Sequence, residues 1–275
     1  MNRLFVVNKP SGISSNGFLR KIKRKYQIKK AGYSGTLDPF ASGCLIVAFN
    51  QYTKLFRFLK KSPKGYVATL HLGAISPTLD NEKIEKIIKV NPIKEDSINE
   101  LFKNLQGEIE YLPPKYSAKK IDGKKAYELA REDKEFELKK IKSTIYNLEL
   151  IKYEHPFITF KITISEGGYI RSIGAIISER LNTLGSLSAL ERINEGNFFY
   201  NSEKSLNPLE FLKTEENYYK KDKSDILLGK KLEKENFEKK DNGEYHIIFD
   251  ESFTIVKIED ENVSYLLNKI RLDKC

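Results

Sequence analysis

Residues 157–165 read FITFKITIS. Ile158, Phe160, Ile162 and Ile164 alternate with Thr159, Lys161 and Thr163, the period of a strand with one buried face. CLIVAF (44–49) is apolar without interruption and has the length of a buried strand. RLFVVN (3–8), YVATLHLG (66–73) and STIYNLELIKY (143–153) predict three more strands. Between them the period lengthens. Leu19, Ile22 and Tyr26 share one helical face, and Ser14 or Ser15 can N-cap that helix because a hydroxyl accepts from an orphan N–H. A helical stretch is predicted around 52–61. Ser97 and Glu100 form a capping box for SINELFKNLQ, with Gly107 as its stop. Further helices are predicted over about 124–132 and from Tyr169 to about Leu181, and on the local pattern alone Leu190 reads as helix core. Residues 31–43, AGYSGTLDPFASG, are too broken by Gly and Pro for helix or ladder and predict a shaped loop. After Phe211, TEENYYKKDKSD reads as a linker, and GEYHIIF, FTIVKIED and VSYLLNKIRL as short strands. The interleaving, with hairpin-like β segments, predicts an α+β protein: a large domain over 1–212, then a linker and a small β domain over 213–275.

Charge adds a direction to this picture. The 275 residues carry 48 Lys+Arg against 38 Asp+Glu, a formal excess of +10. The excess is concentrated in LRKIKRKYQIKK (19–30), where Arg20, Lys21, Lys23, Arg24, Lys25, Lys29 and Lys30 occur with no acid among them. The predicted helix therefore has one apolar stripe and a wide cationic back. That surface suits phosphates; it lacks the large apolar face with Trp or Phe anchors that a membrane helix needs.

Several classes fall away. No apolar run approaches the ~18–20 residues of a membrane span. MNRLFVVNKPSG has too short an apolar core for a secretory leader, so a cytoplasmic protein is expected. Cys44 lies in the apolar strand and Cys275 is the last residue, which gives no disulfide framework. His71, His155 and His246 are isolated, GxxxxGK[ST] and GxGxxG are absent, and neither a metal nor a cofactor is expected.

Candidate chemistry is concentrated in the broken loop. Asp38 stands before Pro39, which removes one N–H and biases Asp38 toward extended backbone. Gly35 and Gly43 can take φ values that other residues resist. Such a loop can aim one carboxylate into a cleft, although an Asp-Pro pair by itself only starts a turn.

The context of that pair is more specific. GYSGTLDPFASGCLIVAF, followed by Thr53-Lys54, resembles motif II of the TruB family of pseudouridine synthases. KPSGISSN (9–16) resembles the family's first motif, LPPKYSAKKIDGKKAYELAR (112–131) its central segment, and EGGYIRSI (166–173) its Gly-x-Tyr-Ile-Arg motif. Four motifs in family order span most of residues 4–195. The resemblance implies a pseudouridine-synthase fold, with a mixed, largely antiparallel central sheet flanked by helices. It also implies a small C-terminal β domain of the PUA-like or TruB-specific kind. The implied activity is isomerisation of uridine to pseudouridine at position 55 in the T-arm of tRNA, without cofactor or metal.

By the same resemblance Asp38 is the catalytic carboxylate, Tyr66 stacks on the flipped uracil, Arg171 pairs with Asp38, and Tyr169 and Leu190 line the pocket. Lys9, Pro10, Tyr33 and Lys54 fall on positions near cleft or RNA, and Arg20, Lys21 and Arg24 supply the cationic face. Two departures stand out: Tyr33 replaces the family's usual His, and Glu132-Asp133 replace a usual Gly. The implied partner is tRNA alone, bound by a monomer. Two other readings compete. A tRNA-folding chaperone would use the same cleft without depending on chemistry. An RNA methyltransferase is disfavoured by the missing glycine-rich cofactor loop and the lack of a Cys nucleophile in a polar loop.

Overall fold

The computed structural model describes every residue except 118, 122, 133, 134, 274 and 275, and the side chains of 120, 125 and 131 are likewise left aside. The expectations for Cys275 and for the Asp133 half of the Glu132-Asp133 departure lie outside the described residues.

From the N-terminus run β1 (Arg3–Lys9), α1 (Ser15–Lys25), β2 (Ala31–Ser34), β3 (Ser42–Phe49), a 3-10 helix (Asn50–Phe58) and β4 (Lys64–Leu72). A short ribbon of β5 (Ala74–Ile75) and β6 (Lys86–Ile87) precedes α2 (Glu95–Asn104) and β7 (Gly107–Tyr111). A second ribbon, β8 (Lys120–Ile121) with β9 (Lys124–Lys125), leads into α3 (Ala126–Arg131). β10 (Ile141–Glu154), β11 (Phe157–Ile164), α4 (Ile170–Arg180), β12 (Gly185–Glu195) and β13 (Phe198–Phe199) follow. The chain closes with β14 (Glu215–Glu216), α5 (Ser224–Leu227), β15 (Gly243–Phe249), β16 (Ser252–Glu259) and β17 (Asn262–Arg271).

The main sheet has the order β1-β3-β12-β4-β11-β10-β7, with β2 joined to β3 and β13 to β12. Every pairing is antiparallel except β12 with β3, which is parallel at Glu191↔Ser42 and Arg192↔Gly43. This is the α+β architecture that the sequence pattern predicts, with the mixed, largely antiparallel sheet that the resemblance implies. One face of β4, β10, β11 and β12 is covered by α2, α4 and the 37–41 loop around Phe102, Phe160, Ile162, Ile173 and Leu187. In β11, the four predicted inward residues are all sealed from solvent.

The unbroken run of β3 has a simple cause: both its faces are covered. Leu45, Val47 and Phe49 meet α1 through Leu19 and Ile22, together with Phe5 and Val7 of β1. Cys44, Ile46 and Ala48 point the other way, with Leu4 and Val6, into a core shared with Phe253, Ile255 and Ile270 of the C-terminal sheet. That second sheet runs β14-β15-β16-β17. Within TEENYYKKDKSD, Glu215 and Glu216 form β14, and Asn217 and Tyr219 are buried.

Five local expectations change. Ala31–Ser34 is a strand rather than loop, because Ala31↔Phe49 through Ser34↔Ile46 complete the free edge of β3. The helix around 52–61 is a 3-10 helix ending at Phe58; Tyr52, Leu55 and Phe58 are its buried residues, and a spacing of three stacks them on one face. α2 begins at Glu95 with Lys94 as N-cap, so Ser97 lies inside the helix and forms no capping box; Leu105 is the C-cap, and Gly107 opens β7. The predicted helix 124–132 is a strand over its first two residues. Leu190 sits in β12, a central strand, where tertiary pairing on both edges overrides the helix-forming composition of GSLSALERINE. Among the described residues no helix is long and apolar enough to cross a membrane.

Candidate active site

The segment 9–15 is a cradle for the loop that carries Asp38. Ser14 caps α1 by accepting from Gly17 N, 3.1 Å away. The next residue, Ser15, turns its hydroxyl to the loop, accepting from Leu37 N and donating to Leu37 O, both at 2.9 Å. Gly12 N donates to Pro39 O at 2.8 Å, and Ser11 Oγ to Phe40 O at 2.7 Å. Lys9 is sealed from solvent, and its ammonium donates to Ile13 O at 2.7 Å, Pro10 O at 2.9 Å and Pro39 O at 3.4 Å. The backbone on both sides of Asp38 is thus tied down. Leu37 and Phe40 anchor the loop in the main core.

Arg171 meets Asp38 from the first turn of α4. Its Nε lies 2.9 Å from Asp38 Oδ2, and its Nη2 donates to Oδ1 at 3.1 Å, the paired geometry that orients a carboxylate. The guanidinium is itself held by Thr78 O at 2.8 Å and Tyr116 O at 2.9 Å. Asp80 supplies a second carboxylate, 3.4 Å from Arg171 Nη1. Asp80 accepts from the Thr78 hydroxyl at 2.5 Å and from Glu82 N at 3.0 Å. Burial raises the Asp80 carboxyl above its ordinary value, while Thr78 and Arg171 pull it back. Asp38 has about a third of its side chain exposed and Asp80 almost none, so only Asp38 faces an incoming molecule.

Asp38, Tyr66, Tyr169, Arg171 and Leu190 all line one cleft of about 330 Å³, together with Gly35, Lys64, Glu166 and Arg192. Tyr66 comes from β4 and Leu190 from β12, adjacent strands in the middle of the sheet. Tyr169 is the N-cap of α4, and its N–H donates to the Tyr111 hydroxyl at 3.0 Å. Burial raises both the Tyr66 and the Tyr169 phenols above their ordinary values. The wall is mixed: two aromatic rings and a Leu for an apolar face, one ion pair for polar chemistry.

The other predicted residues lie outside this cleft. Arg20, Lys21 and Arg24 are exposed on α1, and Lys54 is exposed on the 3-10 helix. Tyr33 is half-buried in β2 against the cluster under α1. Lys9 is buried and Pro10 lies in the turn beside it, so Lys9 supports the loop from behind. Sequence reasoning missed Asp80, a single acid in the turn-rich SPTLDN after β4. It also missed Lys64, Arg192 and Glu195, whose proximity exists only once β4 and β12 pair.

Comparison with known proteins places this fold in a class. Over 97% of the chain the fold matches a chain of the solved Cbf5-Nop10-Gar1 complex, covering 84% of that chain with a TM-score of 0.67 at 19% identity. A chain in the structure of an H/ACA RNP bound to a substrate RNA containing 2'-deoxyuridine matches with a TM-score of 0.66 at 18% identity, covering 98% of this chain and 85% of that one. The architecture is that of the pseudouridine synthases. Residues 23–170 match the TruB family pseudouridylate synthase N-terminal domain, and the chain belongs to that family, a family of isomerases. The tRNA pseudouridine synthase B of Sulfurovum sp. is 54% identical over 270 residues, covering 98% of both chains. That of Campylobacter curvus is 48% identical over 275 residues, covering both chains completely.

Proposed function

We propose that this enzyme converts a tRNA uridine, the one at position 55 of the T-arm, into pseudouridine, with Asp38 as the reacting carboxylate. The observation that carries the reading is the two-point grip of Arg171 on Asp38 at the edge of a cleft faced by Tyr66, Tyr169 and Leu190. A nucleotide of the T-arm stack cannot reach such a carboxylate, so the uridine is flipped out and its ring rests on Tyr66. Base–aromatic stacking of this kind contributes ~1–3 kcal/mol. Tyr169 and Leu190 close the pocket, while Arg20, Lys21, Arg24 and Lys54 meet phosphates outside it, with Tyr33 alongside.

The reaction breaks N1–C1′, lets the uracil turn, and joins C5 to C1′; C5 loses a proton and N1 gains one. No electrons or groups are exchanged with a second reactant. Three openings suit a carboxylate in this position: attack at C1′, proton removal from C2′ to give a glycal, or addition at C6. All three need Asp38 unshielded on one side and fixed on the other, which is how Arg171 holds it. The cleft is complete within one chain, in keeping with a monomer acting in the cytoplasm.

The test is release of tritium from a tRNA transcript labelled with [5-³H]uridine. The wild type should release one label per tRNA without S-adenosylmethionine, and Asp38→Ala none. A transcript with cytidine at position 55 should release none with either protein. Tight tRNA binding by a wild type that releases no label would favour the folding-chaperone reading instead.

A further inference from the structure

In the cleft wall, with Lys64 and Arg192 lining it and Glu195 behind them, lies a charged cluster that the reaction above leaves without a role. Glu195 and Arg192 are 0% and 1% exposed, and Lys64 beside them is also buried. One Glu195 carboxylate oxygen lies 2.8 Å from Arg192 Nη2 and the other 2.9 Å from Lys64 Nζ. Sheet register brings them together: across β4 and β12, Lys64 faces Glu195, and Tyr66 faces Arg192. Taking three ions out of water is costly, and apolar residues of similar volume often give an equally stable core. Fold stability alone is a weak reason for such a trio.

What Arg192 holds is more telling. Its Nε donates to Cys44 O and its Nη2 to Gly35 O, each at 2.8 Å. Gly35 and Cys44 flank the loop that carries Asp38, so one guanidinium staples both of its ends. Tyr66 is the cross-strand partner of Arg192, so the guanidinium and the phenol stand side by side on one face of the sheet. Gly35, at φ +65°, rests directly on the trio: a Cβ there would stand 2.6 Å from Glu195 Oε2 and 2.9 Å from Lys64 Nζ. A guanidinium donates from a rigid planar fork in fixed directions, whereas an ammonium is a compact charge with freely rotating donors.

We propose that Arg192, locked by Glu195 and Lys64, is a positioning residue that sets the Asp38 loop and the Tyr66 ring at their working separation across the cleft. It acts through those two groups rather than on the reacting atoms. The inference rests on the reading of Asp38 and Tyr66 given above. A displacement near 1 Å between reacting groups costs on the order of 10²-fold in rate.

The experiment measures single-turnover tritium release per bound tRNA, beside tRNA affinity by filter binding, for wild type, Arg192→Lys and Glu195→Gln. Scaling to bound tRNA counts only folded enzyme, so a partly unfolded variant still reports. Arg192→Lys should release label about 100-fold more slowly, with affinity within about twofold of wild type. Glu195→Gln keeps a carbonyl for one cation but turns an amide NH₂ toward the other, and should slow release about 10-fold. Arg192→Lys at the wild-type rate per bound tRNA overturns the positioning role, and so does a rate loss matched by equal loss of affinity. A wild type that releases no label overturns the functional reading itself, and the positioning role with it.

Discussion

Two glycines with nearly the same backbone show what a close approach costs. Gly43 has φ +104° and Gly107 has φ +103°. A Cβ on Gly43 would stand 2.3 Å from Arg192 O, whereas one on Gly107 meets nothing within 4 Å. Both Ala variants carry the left-handed penalty of about 1–3 kcal/mol. Only Gly43→Ala also forces β3 and β12 apart, so it should lose several kcal/mol more in denaturant unfolding; equal losses would show that the strands yield freely. Lys9 gives a pH signature. Burial lowers its ammonium from 10.5 to about 8, despite the opposing pull of Asp38. Between those values the unfolded chain binds more protons, so Lys9 makes stability rise with pH across that window and leaves it level below. The full rise is about 3 kcal/mol. Subtracting the unfolding free energies of Lys9→Met from those of wild type between pH 7 and 11 should isolate it, and a flat difference would refute it.

At the scale of elements, α1 is joined to chemistry and to substrate at once. Its first residue, Ser15, is bonded to Leu37 beside Asp38, while Arg20, Lys21 and Arg24 point to solvent. Replacing the three cations with Ala should leave the melting temperature unchanged and weaken tRNA binding. It should also flatten the dependence of log affinity on log salt by about 0.9 per lost phosphate contact. An unaltered slope would mean that α1 does not meet the RNA. This helix was legible because period and capping agree locally, and so was β11, whose alternation is unbroken. β12 was not: Leu, Ala, Glu and Arg favour helix, and only β3 and β4 on its two edges make it a strand. Asp38 and Arg171 were legible through motifs, each embedded in distinctive neighbours. Asp80 has ordinary neighbours, and its meaning comes from Arg171, which is 91 positions away in sequence.

For the whole molecule, the two sheets differ in connectivity yet share a core. β14, β15, β16 and β17, within residues 215–271, form a sheet of their own. The interface between the two sheets is nonetheless built as an interior: Leu4, Val6, Cys44 and Ile46 on one side, Phe253, Ile255 and Ile270 on the other, all buried. Each such aliphatic or aromatic side chain contributes about 1.5–3 kcal/mol when buried. A chain ending at Leu212 should therefore bind a hydrophobic dye, aggregate, and lose its cooperative melt. A soluble fragment with a sharp transition would show the shared core to be dispensable.

That shared core also sets a timetable. β1 leaves the ribosome long before β16 and β17, which complete the cover of its second face. At roughly 5–20 residues per second the wait is about 10–50 s. For that interval Leu4 and Val6 have Tyr52, Leu55, Phe58, Phe198 and Leu212 on that side but lack Phe253, Ile255 and Ile270. Substitutions in β16 and β17 should accordingly reduce the yield of finished protein more than they slow the turnover of molecules that do finish.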